Sequence, residues 1–180
     1  KIYREQYGLH DLTLYKGKLY LYFGPVPAVL LNLPFYLFTK HYIPDNLSVF
    51  IFAVGILIWG GLILEHIRVH YFKQIPEWII LFGIGVIGFA DLAPFLLRRS
   101  LAYEVAISSG CFFLLGAIYF IIKGFQGNKL KMKTLMFASL FIGLACGTRL
   151  NFILPAAFLQ MFILYRILRT EKLKKLLRVY

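Results

Sequence analysis

Six apolar runs divide the chain, and the polar positions between them are few and mostly basic. The runs cover Tyr22 to Thr39, Leu47 to Leu64, Trp78 to about Ala90, Tyr103 to Ile122, Leu135 to Gly147, and Phe152 to about Leu168. None alternates apolar and polar residues as a half-buried strand does, so each predicts a helix that is apolar all round. At 1.5 Å rise per residue, about 20 residues cross the hydrocarbon of a bilayer. "LSVFIFAVGILIWGGLIL", from Leu47 to Leu64, carries no charge and is the clearest span. The fifth run is short unless its helix starts near Leu130, with lysines snorkelling to the interface. The first run carries Pro25, Pro27 and Pro34 and is preceded by the basic, tyrosine-rich stretch around Tyr15 to Lys18. Pro25 and Pro27 fit the opening turns of a helix starting near Gly24, and Pro34 predicts a kink. This run either spans, dips in and returns, or lies at the interface.

Composition strengthens the membrane reading. Of 180 residues, 60% are hydrophobic, and the mean hydropathy is +0.74. A soluble domain of this size cannot bury so much apolar surface. The runs are unbroken rather than dyadic, which excludes a barrel in favour of an all-α polytopic fold. The expected architecture is five transmembrane helices over 22–168 plus one juxtamembrane or re-entrant amino-terminal helix. Residues 1–21 form an outer loop segment and 169–180 a basic cytoplasmic tail. The chain opens on Lys1 without a signal-peptide pattern, as a piece of a longer protein would.

The net charge of +12 could suggest nucleic acid on a soluble protein. Here the basic residues lie between apolar runs, so they speak of orientation and anionic lipid instead. "EHIRVHYFKQIPE" contains Arg68 and Lys73, "KGFQGNKLKMK" has four lysines, and the tail from Arg166 has six basic residues. These three segments fall on one side if the second to sixth runs alternate, and that side is cytoplasmic by the positive-inside rule. The opposite side holds "APFLLRRSLA" and "CGTRLN", with three arginines between them.

Only eight acidic residues exist. Asp91 and Glu104 lie at ends of apolar runs on the predicted outer side and bracket Arg98 and Arg99, and Arg149 falls on the same side. Charges at a membrane edge pair with each other or line a wet cavity. The positive excess suits a phosphate, which arginine can hold with two N–H groups. The same residues could equally be helix-end anchors, and Glu104 also complements the helix dipole in a first turn. His66 and His70 share a helix face without the order of a zinc-protease motif, so interfacial histidines are the simpler reading. Cys111 and Cys146 lie within apolar runs and suit small core positions better than a disulfide. Gly143 and Gly147 predict close helix packing.

Three strings carry a family resemblance. "DLTLYKGKLYLYFGPVPAVLLNLPFYLF", "RRSLAYEVAISSG" and "GLACGTRLNFILP" together resemble bacterial membrane glycosyltransferases of the GT-C superfamily, such as protein O-mannosyltransferases and lipid A aminoarabinose transferases. The resemblance runs from Asp11 to about Pro155. It implies sugar transfer from a polyprenyl-phosphate donor to an acceptor on the outer face of a bacterial cytoplasmic membrane. It implies that the first apolar run is juxtamembrane and that the amino-terminal loop is outside. It also implies carboxylate base chemistry, for which Asp11 and Glu104 are the candidates. Arg98, Arg99 and Arg149 then bind the lipid phosphate, with Asp91 and Tyr103 beside them. No metal, cofactor or nucleic acid is expected, and membrane lipids are the other partners. A transporter or channel subunit and a non-catalytic scaffold are the competing readings.

Overall fold

The computed structural model describes residues 12–21, 23–90, 102–127 and 130–177. Asp11, Asp91, Arg98 and Arg99 lie outside the described residues.

The chain first forms a β-hairpin that the apolar-run reading does not anticipate. Strands β1 (Leu12–Tyr15) and β2 (Lys18–Leu21) pair antiparallel, with Tyr15 opposite Lys18. Lys16 and Gly17 connect them, both at positive φ (48° and 75°). Two such residues make the mirror-image turn whose twist matches paired strands. The alternation in "LTLY" and "KLYL" around Lys-Gly is the signal for it.

The first apolar run is a short helix in two registers. Ala28–Asn32 is a π-helical turn, and α1 (Leu33–Thr39) continues it. The Leu33 N–H bonds to the Ala28 carbonyl, five residues back, just before Pro34. Pro34 has no N–H to give, so it stands in the first turn of α1, where none is required. The predicted kink is therefore a change of helical register at the start of α1.

Five further helices follow: α2 (Asp45–Tyr71), α3 (Glu77–Ala90), α4 (Ala102–Gly124), α5 (Met132–Cys146) and α6 (Ile153–Leu177), the last entered through a 3-10 turn at Leu150–Phe152. Three stretches are long and apolar enough to cross a membrane: Asp45–Tyr71, Ala102–Gly124 and Leu150–Thr170. With 27 residues, α2 is about 40 Å long at 1.5 Å per residue. The apolar helices α3 and α5, of 14 and 15 residues, are shorter.

Ring contacts fix the helix directions. Phe52 of α2 meets Phe112 of α4, Trp59 meets Phe120 further along, and His70 meets Gln126 at the far end. Positions advance together, so α2 and α4 run parallel. Phe152 covers Gly110 and Phe162 meets Phe125, so α6 also runs parallel to α4. Phe113 pairs with Phe141 and Phe120 with Phe137, so α5 runs antiparallel to α4. Ile87 faces Gly60 and Ile84 faces Gly61, so α3 returns along α2.

Side chains are sorted as a lipid solvent demands. The interior holds small groups, with Ala117, Ala138, Ala145, Ser108 and Ser109 fully buried. Large apolar groups point outward: Phe38, Phe89 and Leu154 are each more than 80% exposed. Small interfacial residues let helix backbones approach where no hydrophobic force drives them together. At Gly116 a Cβ would stand 2.5 Å from the Phe141 ring and 3.1 Å from Trp59. The predicted Gly143–Gly147 packing face is not what forms. A Cβ at Gly143 would meet nothing within 4 Å among the described residues, while one at Gly147 would strike Val26 at 2.5 Å. Gly147 therefore admits the amino-terminal segment rather than a neighbouring helix.

Candidate functional site: a charged aromatic cluster at one end of the bundle

The starts of α2, α4 and α6, the end of α5 and the segment before α1 meet at one end of the bundle. They meet because of two backbone bonds. The Gly24 N–H donates to the Thr148 carbonyl at 2.9 Å, and the Val26 N–H donates to the Gly147 carbonyl at 3.3 Å. A Cβ on Gly24 would fall 1.9 Å from the Gly147 carbonyl oxygen, so only glycine allows this approach. Leu31 then packs on the cluster of Val49, Phe52 and Val105. The stretch from Gly24 to Ile43 consequently starts and finishes at the same end of the bundle.

Arg149 is presented by the turn this segment grips. Helix α5 closes with the Gly147 N–H on the Gly143 carbonyl and the Thr148 N–H on the Ala145 carbonyl. The buried Thr148 hydroxyl donates to the same Ala145 carbonyl at 2.7 Å. Arg149 is extended (φ −163°, ψ 142°), and the 3-10 turn begins on its carbonyl. The change from helix to extended chain aims its side chain across the start of α4.

There the guanidinium lies 4.0 Å from the centroid of the Tyr103 ring and 5.8 Å from that of Phe23. Phe23 and Tyr103 meet edge to face at 5.8 Å. A cation over an aromatic face is worth about 0.5–2 kcal/mol, more as water is excluded. The Arg149 charge is thus set over the Tyr103 ring, with Phe23 beside it.

Glu104 follows Tyr103 in the first turn of α4. Tyr103 is 36% exposed and Glu104 only 6%, so the ring forms the rim and the carboxylate points inward. Asp45, in the first turn of α2, is close enough to feel the charge of Glu104. Beneath them lies a layer of buried hydroxyls. Ser108 donates to the Glu104 carbonyl at 2.8 Å, Ser109 to the Ala106 carbonyl at 3.1 Å, and Ser48 to the Pro44 carbonyl at 3.3 Å. Bonds back along the helix satisfy these hydroxyls and keep the layer tolerable in an apolar interior.

Of the residues singled out from sequence, Tyr103, Glu104 and Arg149 are brought together. Phe23, Asp45 and Thr148 belong to the same cluster; from sequence Phe23 reads only as part of an interfacial aromatic anchor with Tyr20 and Tyr22, and Asp45 and Thr148 carry no assigned role. For Asp45 a signal exists, since Pro44–Asp45 opens a long apolar helix and places an acid in its first turn. For Phe23 no signal points to the cluster, because its part depends on contacts with Tyr103 and Arg149, both far away along the chain.

At the opposite end, His66 and His70 do share a face of α2, with rings stacked at 4.2 Å. No group of three His, Cys, Asp or Glu side chains converges as a metal site among the described residues. Cys111 and Cys146 are half-buried and are not joined in a disulfide. No family model, curated protein or solved structure matches the chain.

Proposed function

We propose that the chain is the membrane part of a glycosyltransferase that moves a sugar from a polyprenyl-phosphate donor to an acceptor at the non-cytosolic face of a bacterial membrane. The observation that carries this reading is the Arg149 guanidinium set over Tyr103, whose neighbour in the first turn of α4 is the buried Glu104. A departing lipid phosphate needs a fixed cation, and an attacking hydroxyl needs a carboxylate within reach. Arg149 supplies the first and Glu104 the second. Asp45 lies within electrostatic reach of Glu104 and adds a second acid to the site. In the same reading Arg98 and Arg99 add phosphate contacts, and Asp91 and Asp11 contribute acids from the flanking segments.

Five crossings belong to this proposal. Helices α2 and α4 run parallel and both are long enough to span, so the chain between them must cross back. The same holds for α5 between α4 and α6. Helix α1 begins and ends at one end of the bundle and lies at the interface. The basic segments then face the cytosol.

The test is transfer of a radiolabelled sugar from polyprenyl phosphate in membranes carrying the protein. Glu104→Gln should lower the rate by about 10²–10⁴-fold, the usual worth of a general base, with donor binding kept. An unchanged rate would remove Glu104 from the chemistry. A structural reading has its own support, because the Arg149 stack and the Gly24–Thr148 bond also clasp the amino-terminal segment to the bundle. It predicts that Arg149 variants lose stability and that lipid phosphate has no effect on it.

A further inference from the structure

The end of the bundle opposite Arg149 contains a cleft of about 430 Å³ where α2, α4 and α6 diverge. Its floor is His66, buried, with the exposed His70 stacked above it. His70 Nδ1 is 2.9 Å from the His66 carbonyl, which can only accept, so Nδ1 carries the proton. In the neutral ring, Nε2 then accepts from the Gln126 side-chain amide. The amide has a second N–H, so Gln126 can bond His70 and still donate once more. Arg166 of α6 closes the mouth, its guanidinium 5.3 Å from the Phe125 ring centroid. The remaining wall is apolar, with Ile121, Ile122 and Phe162.

The charge around the cleft is one-sided. Lys123 and Lys131 both act electrostatically on His66. Two of the three acids in the basic segments, Glu65 and Glu77, are held by Arg68, at 2.7 and 3.4 Å. A polar mouth with a fixed arginine, set over an apolar wall at the end of a membrane helix, matches a charged headgroup with its acyl chain attached. A soluble anion has no use for the apolar wall. Basic pockets between membrane helices on the cytosolic side take anionic lipid headgroups.

We infer that this cleft binds the phosphodiester headgroup of an anionic lipid from the leaflet at the basic end. The guanidinium of Arg166 and the free N–H of Gln126 bond the phosphate oxygens, and one acyl chain lies against Phe162 and Ile122. The site is at the opposite end from the proposed donor site and does not rest on that reading.

The test uses the full chain in detergent, stripped of lipid and then given an equimolar mixture of phosphatidylglycerol and phosphatidylcholine. Native mass spectrometry reads which lipid is retained. Phosphatidylglycerol should be retained preferentially. Arg166→Gln should reduce that preference about fivefold, the worth of one basic residue near an anionic headgroup. Gln126→Leu should reduce it without changing net charge. Arg169→Gln, the same charge change outside the cleft lining, should leave it intact. Equal retention of the two lipids would overturn the assignment, as would an equal loss in Arg169→Gln, which would mean diffuse surface charge. Displacement of phosphatidylglycerol by millimolar inorganic phosphate would assign the cleft to a soluble anion and overturn the lipid reading.

Discussion

Arg149 and Gly116 show two kinds of residue on which this protein depends. Arg149 is a charge at one end of an apolar bundle, set over the Tyr103 ring with Phe23 beside it. Gly116 is an absence of side chain that lets Phe141 and Trp59 close over α4. Gly116→Leu should therefore destabilise the bundle by about 1–3 kcal/mol through overpacking, read as a lowered thermal midpoint in detergent. Gly143→Leu, at a position open among the described residues, should leave the midpoint unchanged. Equal effects would mean that α4 and α5 do not pack as described. The four-residue interval of Gly143 and Gly147 suggests a packing face that does not form among the described residues, while Gly116, with no such partner spacing in view, is the glycine that a neighbour closes over. Spacing along a helix reports a shared face, whereas which face meets a neighbour is decided by tertiary contacts. Tyr103, Glu104 and Arg149 were legible for a different reason. Polar groups are so scarce in this chain that position at the end of an apolar run is itself informative. Phe23, one of 18 phenylalanines, is marked only as an interfacial aromatic beside Tyr20 and Tyr22, which does not point to Arg149.

At the scale of elements, the helices were readable from apolar runs and the hairpin was not. Eight strand residues around Lys16 and Gly17 are too short a pattern to compete with the long apolar run that follows. Helix α1 illustrates the opposite difficulty. Its composition matches a span, yet only twelve residues, Ala28–Thr39, are helical and both its flanks return to one end. Length and proline content hinted at this, but the decisive fact is the pairing of Gly24 and Val26 with the α5–α6 turn. Gly24→Ala should break that pairing, since the Cβ would overlap a carbonyl oxygen at 1.9 Å. The expected result is faster proteolysis of the segment before α2 and a loss of about 1–3 kcal/mol of stability, with the rest of the bundle intact. A protease pattern identical to the wild type would show that the segment is held by something else.

At the scale of the molecule, the buried polar groups among the described residues gather toward the two ends. One end joins acids, hydroxyls and an arginine around aromatic rings. The other holds most of the basic residues and the stacked histidines. Between them the interior is small-residue packing and aromatic contact, with the buried Trp59 indole N–H lacking a bond partner among the described residues. Among the described residues, the buried polar side chains (Ser48, Glu104, Ser108, Ser109 and Thr148 at one end, His66 at the other) are separated by this apolar packing. The central claim is that the Arg149 end holds a lipid phosphate. The most direct measurement is binding of polyprenyl phosphate to the chain in nanodiscs, comparing wild type with Arg149→Lys and Arg149→Gln. The account predicts saturable binding that weakens about tenfold or more in Arg149→Gln, as befits a charge-assisted contact, and only partly recovers in Arg149→Lys, which lacks the planar fork. Equal binding by all three would contradict it and leave Arg149 as a clasp for the amino-terminal segment.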